Sequence, residues 1–218
     1  MPYSAVDEKK QQLIRKAKDG SVFVGPIATT LLATLTTGAG AALTTLPVGM
    51  VDLGYTTTDG VTYGRTTDLS EIRSFGSVEP TRTDVTNDTI TMNCSAQETK
   101  LETIGLYTGA DYTTIEAAVT TGEVQVAKPD RPSFRYYRLL GLFVDDGDAG
   151  EIYFARYMPR ARVTEIGEQQ YNDGDEAIIY PLTFTGYKDS TAGYSHKWFW
   201  GGPGWLALLA DMGIDQAS

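Results

Sequence analysis

A single cysteine and a single histidine stand in a chain of 218 residues. One cysteine excludes an intramolecular disulfide, so the fold needs no oxidising compartment. Cys94 lies on the apolar side of an alternating stretch and reads as a core residue. His196 comes with neither a G-x-S-x-G elbow nor a reactive thiol, which leaves no nucleophilic triad, and it reads as a polar residue at a strand edge. The two residues are too far apart in sequence for a transition-metal site. Positive charge is also short: 18 Lys and Arg face 28 Asp and Glu, a net −10. Recognition of nucleic acid through a basic patch is therefore excluded as a leading function. Residues 1–19 hold five basic residues against three acidic, a local +2, so the remaining body carries −12. Long apolar runs are missing as well. No charged side chain lies between Asp19 and Asp52, but Pro26, Pro47, five glycines and repeated Thr-Thr pairs interrupt that segment. It predicts an extended segment buried against protein, not a membrane span. The basic start runs into polar residues, which does not resemble a signal peptide.

What is present is period-two patterning. In "TITMNCSAQ", Ile90, Met92, Cys94 and Ala96 point one way, and Thr89, Thr91, Asn93, Ser95 and Gln97 the other. The wet face is polar yet uncharged between Asp88 and Glu98, where an ordinary solvent-facing strand would carry Lys and Glu. Residues 4–18, "SAVDEKKQQLIRKAK", predict a short helix with Ser4 and Asp7 in capping-box spacing and a thin stripe of Val6, Leu13, Ile14 and Ala17. Asp59-Gly60 in "LGYTTTDGVTYG" predicts a hairpin turn. A further long hairpin is predicted through the Pro80 region. "TKLETIGLYTG" predicts a helix, with Thr99 and Glu102 as a capping box and Gly109 as its stop. Two long strands flank "DDGDAG", and "EAIIYPLTFTGYKD" places Ile178, Tyr180, Leu182 and Phe184 on one face. "HKWFW" precedes a last helix that starts near Pro203 and stops at Gly213. The fold class is mainly β, an antiparallel sandwich or barrel with a flanking helix, an extended N-terminal arm and a C-terminal helix. The division is 1–50 for helix and arm and 51–218 for the β domain.

Motifs that could carry chemistry are weak. "DDGDAGE" (Asp145, Asp146, Asp148, Glu151) and "YNDGDE" (Asn172, Asp173, Asp175, Glu176) lack the spaced oxygen ladder of a calcium loop and suit tight turns. "GAGAAL" has Gly38 and Gly40 without the rest of a dinucleotide fingerprint. Trp198, Phe199, Trp200 and Trp205 suit either a sugar platform or an anchor for the last helix. "RPSFRYYR" interleaves Arg131, Arg135 and Arg138 with Phe134, Tyr136 and Tyr137, but alternation splits it over two faces. No catalytic, cofactor-binding or metal site is predicted, and the chain is expected not to be an enzyme.

The pieces "LGYTTTDGVTYG", "SVEPTRTDVTNDTITMNCSAQET", "YYRLLGLFVD", "RARVTEIGEQQYNDGDEAIIYPLTFTGYKD" and "FWGGPGWLALL", in that order, resemble the major tail tube proteins of long non-contractile-tailed phages, siphoviruses of actinobacterial hosts in particular. The resemblance runs from about Val48 to Gly213. It implies hexameric rings stacked into a hollow tube, with edge strands paired between subunits and a long hairpin and terminal arms bridging rings. It also implies a virion location, assembly in the host cytoplasm, the tape measure protein in the lumen, tail tip and tail terminator partners, and passage of double-stranded DNA without specific binding. No membrane partner and no cofactor are implied. Under it, Thr89, Thr91, Asn93, Ser95 and Gln97 become candidates to face the lumen or a subunit interface, since neutral groups do not grip phosphate. Lys9, Lys10, Arg15, Lys16, Leu31, Leu32 and Leu35 become candidates for the inter-ring arm, and the segment Asp19 to Val51 is expected to be buried between subunits. The alternative class is a soluble ligand-binding sandwich for carbohydrate or calcium, built on Trp198–Trp205 and Asp145/Asp148.

Overall fold

The uncharged segment begins as a strand. The computed structural model describes residues 7–128, 130, 135–174 and 177–217. In chain order the strands are β1 (Asp19–Pro26), β2 (Thr36–Thr37), β3 (Ala42–Leu43), β4 (Val51–Asp52), β5 (Thr56–Ile72) and β6 (Arg82–Ala96). Helix α1 (Leu101–Thr108) follows, then β7 (Tyr137–Gly147), β8 (Gly150–Ile166), β9 (Tyr180–Gly186), β10 (Lys197–Gly201) and α2 (Pro203–Met212). One antiparallel sheet runs β4-β1-β7-β8-β9-β6-β5, with β10 also on β8; β2 and β3 form a separate hairpin. β9 and β10 share one flank of β8, β9 along Ala161–Ile166 and β10 along Tyr153–Tyr157.

The sheet is curled. β6 and β7 lie three strands apart, roughly 14 Å if the sheet were flat. Yet the Met92 methyl sits 3.2 Å from where a Cβ on Gly141 would be. The space enclosed is the main core: Val22, Val24, Met92, Leu139, Leu182 and Phe184, closed at one side by Leu106 of α1. A second core lies on the opposite face of β7 and β8, where Leu140, Leu142, Ala155 and Tyr157 meet Leu32, Leu35 and Phe199. β7 is therefore buried on both faces, which accounts for its unbroken apolar run.

The stretch 27–50 straps over this second face. Leu32 N–H donates to Tyr157 Oη at 3.4 Å, and Lys197 Nζ donates to Ala33 O at 2.9 Å. Its lack of charge is thus explained inside the subunit, by β1 at the heart of the sheet and by Leu32 and Leu35 at 4% and 3% exposure. Ile27, Val48 and Val51 stay exposed. No helix among the described residues is long and apolar enough to cross a membrane.

Several local expectations are met. α1 stops at Gly109 (φ 73) and α2 at Gly213 (φ 70), with Pro203 opening α2. The β5–β6 hairpin turns through the Pro80 region, and β7 and β8 join at a tight turn between Gly147 and Gly150, within the "DDGDAG" stretch. Others are corrected. Asp59-Gly60 is no hairpin turn: it lies within β5, whose pairing with β6 shifts register between Thr56 and Val61. Gly60 has φ +70, a conformation a bulge uses as readily as a turn. Over 7–18 the only helix is a 3-10 turn at Gln11–Leu13 with no buried residue, while Ser4 and Val6 lie outside the described residues. So short a helix with no face to bury is marginal in water, and long-range ion pairs extend the segment instead. The N-cap of α1 is Lys100 without a side-chain cap, because Thr99 Oγ1 bonds Tyr180 Oη at 2.9 Å. Ile178, before β9, is exposed, whereas Leu182 and Phe184 are in the core.

Candidate functional site

β6 keeps its two faces apart. Ile90, Met92, Cys94 and Ala96 are no more than 5% exposed. Asn93 and Gln97 are exposed and Thr89, Thr91 and Ser95 half-buried, so all five predicted wet-face residues share one outer surface. Directly opposed residues of antiparallel strands face the same way, which shows what the surface continues into. Asn93 stands opposite Thr62 of β5 and Thr183 of β9; Thr91 stands opposite Gly64 and Thr185; Thr89 stands opposite Thr66. Thr164 of β8 hydrogen-bonds Thr185, Oγ1 to Oγ1, at 2.8 Å. The result is a neutral, hydroxyl-lined field over four strands, bordered on β8 by Arg162 opposite Thr185 and Glu165 opposite Thr183. A shallow depression of about 270 Å³ lies in it, lined by Thr62, Asn93, Ser95 and Thr183. Thr62, Thr66, Thr183 and Thr185 were not singled out from sequence, although alternation of Thr183 and Thr185 with Leu182 and Phe184 carries the signal.

Beyond the field, β5 and β6 leave the body as a hairpin. Its root is fastened by Arg65, which holds Asp88 through two bonds of 2.7 Å. That contact keeps the Asp88 carboxyl below the usual range. Toward the tip, Leu69, Ile72, Phe75, Val78 and Val85 are exposed, Phe75 and Val78 almost fully. β5 has β6 on one side and no strand on the other among the described residues. A groove of about 710 Å³ opens between the start of β5 and β1, with the Lys100–Glu98 ion pair (2.7 Å) on its wall.

The arm residues are held by their own chain. Lys10 Nζ reaches Asp211 Oδ1 at 3.0 Å, Arg15 reaches Asp145 at 3.4 Å, and Lys16 N–H donates to Asp145 at 3.3 Å. Lys9 pairs with Asp7, and Leu31 packs beside Leu32 and Leu35 on the second core. Asp145, one of the two carboxylates of the calcium alternative with Asp148, is engaged by Arg15, and the neighbouring Asp146 by Lys18. Asp175 and Glu176 lie outside the described residues, and no carboxylate group of metal-binding arrangement occurs among those described. Arg135 pairs with Asp111 and Arg138 with Asp189, so neither offers a nucleic-acid surface; Arg131 and Phe134 lie outside the described residues. Gly38 and Gly40 only turn the chain between β2 and β3. His196 is not an exposed edge residue: it is 7% exposed, between the Tyr63 and Trp198 rings.

An open edge strand, a projecting hairpin and a neutral hydroxyl face are features that suit a self-assembling structural subunit. The chain belongs to the phage tail tube protein family, whose model matches residues 8–200. No curated protein matches it. Among solved structures, a six-fold symmetrised cryo-EM structure of the anti-feeding prophage baseplate is similar at 10% identity and a TM-score of 0.39, covering 83% of this chain and 91% of that one. A crystal structure of an Hcp protein is similar at 9% identity and a TM-score of 0.33, covering 83% and 97%. The family makes this chain a virion component that assembles into a tube with other tail components.

Proposed function

We propose that the chain forms hexameric rings stacked into the tail tube of a siphovirus-type phage, and that double-stranded DNA passes through the bore during ejection. The observation that carries this is the neutral field of Thr62, Thr89, Thr91, Asn93, Thr183 and Thr185, all on one face. A bore must stay wet without holding phosphate. Lys and Arg there would release counterions and bind, whereas hydroxyls and amides let the duplex slide. The Debye length is about 8 Å at physiological ionic strength, so a narrow bore feels its wall.

The open edge of β5 supports closure of the ring, because an unpaired edge is a liability that pairing with a neighbouring copy removes. The exposed hairpin tip with Phe75 and Val78 suits a bridge to the next ring. The inter-subunit role of 1–50 falls to its exposed positions, such as Ile27 and Val48, since Leu32 and Leu35 face inward. In this reading the tape measure protein occupies the lumen before ejection, tail tip and terminator proteins bound the tube, no membrane is involved, and assembly takes place in the host cytoplasm.

Sedimentation and negative-stain imaging of the purified chain, alone and with tail-initiation proteins, test this. Rings or tubes are expected. Monomer at every concentration, with the initiating proteins present, would overturn it.

A further inference from the structure

Arg156 of β8 sits in a box of aromatic rings. Its guanidinium lies 5.3 Å from the centre of Trp200 and 5.7 Å from that of Tyr63. His196 extends the box, with its ring centre 4.8 Å from Tyr63 and 4.4 Å from Trp198. Trp205 of α2 stacks on Trp200 at 6.4 Å and meets Phe154 edge-on. The side chains come from β5, β8, β10 and α2, so only the curled sheet assembles them.

Unlike Arg65, Arg135 and Arg138, Arg156 has no carboxylate at ion-pair distance among the described residues; its one hydrogen bond runs to Ala155 O at 3.3 Å. The groups around it supply no negative charge. Burial raises the Tyr63 phenol, and burial together with Arg156 lowers His196 to about 4, so both are neutral near pH 7. Burial also works against the Arg156 cation itself. A half-desolvated guanidinium is stabilised by a carboxylate, and bidentate Arg–carboxylate pairs are among the stronger polar contacts. Trp198 and Trp200 remain 37% and 48% exposed, on a strand whose outer edge has no partner strand among the described residues. Tryptophan, tyrosine and arginine clustered at a half-open surface are the composition of an interface hot spot.

We propose that this box is a contact between copies of the chain, in which a carboxylate of a second copy pairs with Arg156 between Trp198 and Trp200. Charge selects the occupant: the chain carries −10 overall, so a second copy presents an acidic surface to a site whose own charge is positive. The inference rests on the tube reading and adds to it one specific cationic contact.

All three tryptophans of the chain lie in or beside the box, so intrinsic fluorescence reports on this site. The full chain is assembled over a range of concentrations, followed by sedimentation, tryptophan emission and acrylamide quenching. Emission is expected to shift to the blue and quenching to fall as copies associate, and added salt is expected to oppose association. Arg156→Ala is expected to raise the concentration for half-assembly about tenfold or more, a loss of about 1.4 kcal/mol. Arg156→Lys should fall between, since it keeps the charge but loses the flat fork. Wild-type assemblies with unchanged emission and quenching, or Arg156→Ala assembling at the wild-type concentration, overturn the contact and leave the tube reading standing. Tryptophan protection by another tail protein while the chain itself stays monomeric overturns the second copy as occupant. Wild-type chain that never associates, with the tail-initiation proteins present, removes both readings. The wild-type quenching measurement decides the matter even where Arg156→Ala fails to fold.

Discussion

Arg138 Nη1 lies 2.7 Å from Asp189 Oδ2, with both side chains at most one-tenth exposed. Arg138 also donates to Thr29 O and Pro159 O, and Asp189 accepts from Thr191 and Ala192 N–H at 2.9 Å. One ion pair thereby ties the strap, β7, β8 and the loop after β9. Asp189→Ala would leave a buried guanidinium without its counter-charge. A loss of about 3–5 kcal/mol is expected, measured by urea unfolding, and a loss below about 1 kcal/mol would show that water reaches the pair. The backbone N–H of Ala192, then Arg138, holds the Asp189 carboxyl below its usual range. Its stabilisation is therefore complete above the ordinary Asp value near ~3.9 and fades only at more acid pH.

His196 acts at milder pH. Burial, with Arg156 beside it, lowers its pKa from 6.5 to about 4. Between those values the unfolded chain binds a proton that the folded chain refuses, so stability falls as pH drops through that window. His196→Phe should keep the ring packing and flatten this slope. Urea midpoints across the window check it, and an unchanged slope would assign the pH dependence to other groups.

Cys94 should be inert in the folded chain. It is 4% exposed, and burial pushes its thiol up to about 12, so the reactive thiolate is scarce at neutral pH. A thiol reagent is expected to label it only after denaturation. Labelling of the native subunit at the rate of a free thiol would mean that β6 opens locally.

Lysine at Thr89, Thr91 or Asn93 should leave folding within about 0.5 kcal/mol, because these side chains point away from the core. If the hydroxyl field lines the bore, each substitution is repeated in every ring, and ejection should slow, most in low salt. Normal tubes that eject at wild-type rate in low salt would place the field elsewhere on the tube without altering the family.

The wet and dry faces of β6 were legible in the sequence because a strand has a period of two, and so were the helix stops at Gly109 and Gly213, where local chain geometry suffices. The β7–β8 turn belongs with them. Asp59-Gly60 shows where local signals end. Its left-handed glycine serves a turn or an irregularity within a strand alike, and only the partner, β6 on both sides of the register shift, keeps it inside β5. The basic segment before β1 is extended because Asp145, Asp146 and Asp211, more than a hundred residues away, draw its side chains onto the body. Leu32 and Leu35 are core residues only because β7 and β8 present a second apolar face to the strap. The box around Arg156 of β8 brings together Tyr63 of β5 and the stretch His196–Trp200 at β10. Such placements depend on sheet order and curl, which are settled by contacts between distant residues and have no periodic trace in the chain.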